Sequence, residues 1–194
     1  MPIVQAGDPV LRHRATPVDH DQIGSRAVQE LIAALHRALV ETPGVGIAAP
    51  QIGVSLRVVV VQDPPDFHES VPPEWLAVLE RTPIDPYVLI NPELDRVGDE
   101  ERTFFEGCLS IEGYRALVPR RHSVRVRYMT PQGDRQEETR SGWHARILQH
   151  EVDHLDGCLY VDRMLSRSLT STAHYERWAH VPTHDVCSAF GIND

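Results

Sequence analysis

Between Trp143 and Gly157 the chain reads WHARILQHEVDHLDG, and this stretch restricts the possible folds more than any other. Ile147, Leu148, Val152 and Leu155 recur at helical spacing, and Gly157 supplies a stop. His150 and His154 are four residues apart, so their imidazoles fall on one face of the helix, a turn from each other. Ring nitrogens placed in this way reach a single ion at about 2.0–2.1 Å. Glu151 stands beside the first of them, near enough to exchange protons with a water on the ion without becoming a ligand. A solvated helix with surface histidines would not carry apolar residues on both sides of the motif. The helix is therefore predicted to lie against a core. Asp153 and Asp156 are expected in an outer layer or in solvent, because direct ligation would add charge that the site does not need.

A catalytic ion of this type takes three protein ligands and keeps one position open. The residues alone leave the third ligand undecided. The HExxHxxGxxH pattern of one group of proteases would place a His at position 160, where this chain has Tyr160. A second protease pattern uses a downstream Glu, for which His174 and Glu176 in a polar tail are a weak match. Cys158 lies beyond Gly157 and would have to reach back. Cys108 sits in EGCLS, where Gly107 permits close backbone approach, although a lone cysteine is more often a small buried hydrophobe. A non-catalytic metal module would instead close the fourth position with Cys158 or Cys187.

At 194 residues the chain fits one domain with its own core. The formal charge of −9 argues against nucleic acid or an anionic membrane as partner. All 19 basic residues are Arg, read here as genome bias rather than as a device. Cys108, Cys158 and Cys187, odd in number and widely spaced, suit a reducing compartment. The opening residues lack the unbroken apolar run of a signal peptide, and the longest apolar run, Val58 to Val61, is strand-sized. A cytoplasmic location is expected.

Residues 25–41 predict an amphipathic helix capped by Ser25, followed by the glycine-punctuated GVGIAAPQIG. LRVVVVQ and YVLINPEL read as strands, and SVRVRYMT and RQEETR as a hairpin about Pro131–Asp134. The alternation of Arg125 and Arg127 with valines marks a solvated strand face. Residues of about 63–86 form a surface insertion with a short helix near Glu74–Glu80. After about residue 165 the tail is polar and weakly helical around Ser168–His180.

GVGIAAPQ (Gly44–Gln51), EGCLS (Glu106–Ser110) and QHEVDHLDG (Gln149–Gly157) resemble, in order and spacing, the three signature motifs of peptide deformylases. The opening IVQAGDPVLRHRATPV is similar to that family's N-terminal strand and loop. The resemblance implies an α+β fold, with antiparallel strands packed around the HExxH helix, and removal of the formyl group from N-terminal formyl-methionine of new polypeptides. It implies Cys108, His150 and His154 as ligands of Fe2+, replaceable by Zn2+, Ni2+ or Co2+. Gln51 and the backbone N–H of Leu109 become the donors to the developing oxyanion, and Glu151 the proton carrier. Substrate residues would be Val45, Gly46, Glu106 and Gly107, with Trp143, Ile147 and His150 around the first side chain and Arg115 further along. The expected partners are formyl-methionyl nascent chains at the ribosome, and the expected state is a monomer. Arg146 departs from the aliphatic residue of compact members.

Overall fold

The computed structural model describes residues 2–192. Ser25 caps α1 (Arg26–Glu41) by accepting a hydrogen bond from the Val28 N–H, and Val28, Leu31, Ile32, Leu35 and Leu39 form its buried stripe. β1 (Gly46–Ala48), β2 (Val58–Asp63), β3 (Ile84–Cys108), β4 (Ile111–Met129) and β5 (Arg135–Ser141) follow one another across a single antiparallel sheet. Each face of β2 is buried. Val58 and Val60 pack with α1, while Val59 and Val61 pack with α3 (Gly142–Leu155), which explains the unbroken valine run. The expected helix, surrounded by antiparallel strands, is α3, joined in its core by Ala145, Ile147, Leu148 and Leu155.

Several expectations change in extent. The strand expected at YVLINPEL is the start of the 25-residue β3. Its register with β4 breaks between Ile90 and Glu93, where Asn91 has a positive φ of 52° and its side chain bonds both the N–H and the carbonyl of Val18. Polar residues such as Glu101 and Arg102 concealed this length, because they hold a strand through β4 pairing rather than through burial. The opening segment makes separate backbone bonds rather than a strand, from Val4 N to the Gln51 carbonyl and from Ala6 N to the Ser110 carbonyl, both 2.8 Å.

The insertion carries α2 (Pro73–Leu79) and is tied down at both ends. Asp63 is fully buried and holds Arg81 through two 2.7 Å bonds. Gly142, at φ +59°, opens α3 against the insertion, where a Cβ would lie 2.6 Å from Glu80 Cβ. The tail is more ordered than its polarity suggested. β6 (Thr170–Ser171) pairs with β4 at Tyr114 and Arg115, α4 (Thr172–Tyr175) follows, and α5 (Thr183–Phe190) buries Val186 and Cys187 against Leu117. No helix among the described residues is long and apolar enough to cross a membrane.

Candidate active site

α3 presents His150 and His154 toward the end of β3, where Cys108 closes the strand. One ligand atom from each of Cys108, His150 and His154 lies within 4.8 Å of the others. Cys108 Sγ is 3.2 Å from His154 Nε2. Among the described residues this is the only such His, Cys, Asp and Glu group, and the other candidates for a third ligand do not join it. His174 Nδ1 bonds the Ser171 hydroxyl, and the Cys158 thiol donates to the Leu159 carbonyl.

The donor set fits a divalent ion of borderline softness: a thiolate and imidazoles in a largely buried place. His150 Nδ1–H donates to Glu106 Oε2 at 2.9 Å, which fixes the tautomer and leaves Nε2 for a ligand bond. The second ring nitrogen of His154 is buried with no partner.

Glu106, expected among the substrate residues, has its carboxylate turned into the protein. It accepts two 2.9 Å bonds from Arg120 and one of 2.6 Å from Arg146 besides that of His150. Burial opposes its ionisation, but the His150 hydrogen bond and the Arg120 charge outweigh that and hold its carboxyl well below the ordinary range. Arg120 also reaches Asp153, 2.5 Å away, which accepts a further pair of bonds from Arg163. Asp153 is therefore buried in an ion-pair network, not solvated. Asp156, exposed, pairs with Arg57. Arg146 donates to the carbonyls of Val118 and Arg102 and stacks on Phe104, so the residue that departed from an aliphatic pattern is fully used.

Arg120 was not foreseen as part of the site. Its signal lay in strand alternation, since Ala116, Val118 and Arg120 share the buried face toward α3. Ser110 was missed as well. It is fully buried and accepts from Gln51 Nε2 at 3.3 Å.

Gln51 is 1% exposed. Its Oε1 accepts from Ala48 N at 2.8 Å, which aims Nε2 at the site, 3.6 Å from Cys108 Sγ. Among the described residues no backbone acceptor is paired with the Leu109 N–H. Glu151 is buried, and its Oε2 has no partner. Burial pushes its carboxyl up to about 7. The carboxylate packs against Gly46, where a Cβ would lie 2.4 Å from Glu151 Oε1. β1 thus brings Gly46 to Glu151, with Val45 beside it, while Gly107 lies under the Arg115 side chain. Ile147 and Trp143 pack in the same apolar cluster as Val45. Trp143 and Arg115 also line a cavity between the insertion and the tail.

Comparison with known proteins agrees with this geometry. A family model described as polypeptide deformylase matches residues 1–169. The chain is 45% identical to peptide deformylase 3 of Streptomyces avermitilis, over 99% of this chain and 84% of that one. It is 43% identical to peptide deformylase 1A, chloroplastic/mitochondrial, of Arabidopsis thaliana, over 97% of this chain and 69% of that one. Among solved structures, a class I type b peptide deformylase from Acinetobacter baumannii with Met-Ala-Ser bound superposes with a TM-score of 0.74 at 36% identity, over 84% of this chain and 98% of that one.

Proposed function

The chain belongs to the polypeptide deformylase family, hydrolases that remove the N-formyl group from new polypeptides, and we propose a role for each residue of its site. Cys108, His150 and His154 hold a divalent ion, with Fe2+ as the native metal and Zn2+, Ni2+ or Co2+ as replacements. The observation that carries the assignment is the convergence of these three side chains beside a buried carboxylate with a free oxygen. When bound, the ion supplies Lewis acidity, which acidifies water and polarises a carbonyl.

The remaining chemistry belongs to the chain's own groups. Gln51 Nε2 and the Leu109 N–H donate to the formyl oxygen as it gains charge. Glu151 takes a proton from the attacking water and delivers it to the departing amine nitrogen; a carboxyl raised to about 7 suits both halves of that transfer. Glu106, backed by Arg120 and Arg146, keeps His150 oriented and touches substrate only through its backbone. An extended peptide adds along the edge of the sheet at Val45 and Gly46 of β1 and beside Gly107, with its first side chain against Val45, Trp143 and Ile147. The protein acts on formyl-methionyl nascent chains near the ribosome, in the cytoplasm, as a monomer.

The test is Cys108→Ser in the anaerobically prepared protein. The variant should lose its bound ion and its formate release together. Full metal stoichiometry with full activity would remove Cys108 from the ligand set.

A further inference from the structure

The two donors proposed for the formyl oxygen come from separate parts of the chain, and a third segment joins them. Gln51 lies in the short helix Ala49–Ile52. Leu109 and Ser110 form the two-residue turn between Cys108, which ends β3, and Ile111, which begins β4. Residues Val4 to Ala6 run from one to the other. The Val4 N–H donates to the Gln51 carbonyl and the Ala6 N–H to the Ser110 carbonyl, each at 2.8 Å. Between these anchors stands Gln5, whose side chain is exposed and yet has both ends of its amide on the tip of the β3–β4 hairpin. Its Nε2 donates to the Leu109 carbonyl at 3.0 Å, and its Oε1 accepts from the Glu112 N–H at 3.4 Å.

The peptide plane between Leu109 and Ser110 is thereby held at both edges. Its carbonyl accepts from Gln5, and its N–H, that of Ser110, donates to Cys108 Sγ at 3.4 Å. The Leu109 side chain is held as well. A Cβ on Gly44 would lie 3.0 Å from Leu109 Cδ1, so the leucine occupies room that the glycine leaves. With the end of β3 before it and a fixed plane after it, the Leu109 N–H has little freedom to turn. That direction matters, because a donor to a developing oxyanion works by being aimed before the charge appears. Gln5 itself is not in the ligand group, and its side-chain bonds are to the backbone of the hairpin tip alone. Since those bonds are open to solvent, their use lies in direction rather than in burial.

Resting on the deformylase reading, we propose that Gln5 is a positioning residue for the reaction: through the Leu109 carbonyl it sets the direction in which the Leu109 N–H meets the formyl oxygen. Two variants separate its bonds. Gln5→Met keeps the length of the side chain and loses both, while Gln5→Glu keeps the acceptor for the Glu112 N–H and loses the donor to Leu109. On formyl-Met-Ala-Ser, with the ion bound and without oxygen, each variant should lower kcat about tenfold, a part of the roughly 10^2–10^3-fold that loss of a whole oxyanion donor costs. KM and ion content should stay as they were. In the Zn2+-loaded protein without substrate, the NMR order parameter of the Leu109 N–H should be near the rigid value of about 0.85 in the parent and fall toward about 0.6 in both variants, with the amides of α3 unchanged. A parental kcat in either variant overturns the proposal, and so does a fall in kcat that comes with lost ion. An unchanged order parameter at Leu109 overturns it whatever the kinetics. If the parent itself releases no formate, the deformylase reading fails instead, and the order parameters alone decide whether Gln5 fixes the turn.

Discussion

Glu151 is the residue proposed to carry the proton, and its surroundings set it apart from the ligand group. Its carboxylate is buried, has a free oxygen and does not belong to the ligand group. Glu151→Gln should therefore keep the full complement of ion, measured by elemental analysis, and lose on the order of 10^2–10^4-fold in kcat. Near-normal turnover with ion bound would end its role as proton carrier. Gly46 offers an independent check, because it is the absence of a side chain there that leaves room for the carboxylate. Gly46→Ala should push Glu151 aside; a misplacement near 1 Å costs on the order of a hundredfold in rate. The measurement is kcat beside metal content, and an unchanged kcat would mean that the carboxylate need not sit where it does.

At the scale of elements, α3 is fastened to the β3–β4 hairpin by buried charge as well as by apolar contact. Arg120, 4% exposed, bridges Glu106 on β3 and Asp153 on α3. Arg120→Met would take one guanidinium from two buried carboxylates, leaving Glu106 with Arg146 and His150 and Asp153 with Arg163, a loss of about 1–3 kcal/mol. Urea unfolding should register it; a midpoint within experimental error of the parent would show that the network contributes little. This layer explains what could be read in the sequence. HEVDH, EGCLS and GVGIAAPQ are local patterns, so the residues that the structure gathers at Cys108, His150 and His154, with Gln51 near them, could be singled out beforehand, the cysteine only through the family resemblance. The α1 stripe and the β2 valines were legible too, because periodicity reports burial. Arg120–Asp153 and Arg146–Glu106 were not, since a buried ion pair is set by contacts 33 and 40 residues apart along the chain, and each member alone resembles a surface charge. The tail was misread for a related reason. Its helices are short, and their order comes from packing against Leu117 and Phe105 rather than from internal periodicity.

For the whole molecule, stability should depend on pH through a group outside the ion site. His144, at the start of α3, bonds the Tyr87 hydroxyl at 2.7 Å. Burial first, and then the nearby Arg140, bring its pKa down to about 4 from 6.5. Between those values the unfolded chain binds a proton that the native chain does not, so stability is complete above about 6.5 and falls as the pH drops toward 4. Urea midpoints at several pH values should show this decline, and His144→Gln should flatten it; equal slopes for the two proteins would assign the acid sensitivity elsewhere. The central claim, that this assembly of strands around α3 exists to take a formyl group from a peptide amine, has a more direct test. Formyl-Met-Ala-Ser and acetyl-Met-Ala-Ser differ by one methyl, and in the proposed pose the wall that meets it is β1 at Gly46, which packs against Glu151. Measured without oxygen on the metal-loaded protein, kcat/KM should favour the formyl peptide by at least a hundredfold, with formate as product and the internal peptide bonds intact. Equal values for the two peptides, or cleavage at an internal bond, would contradict the account.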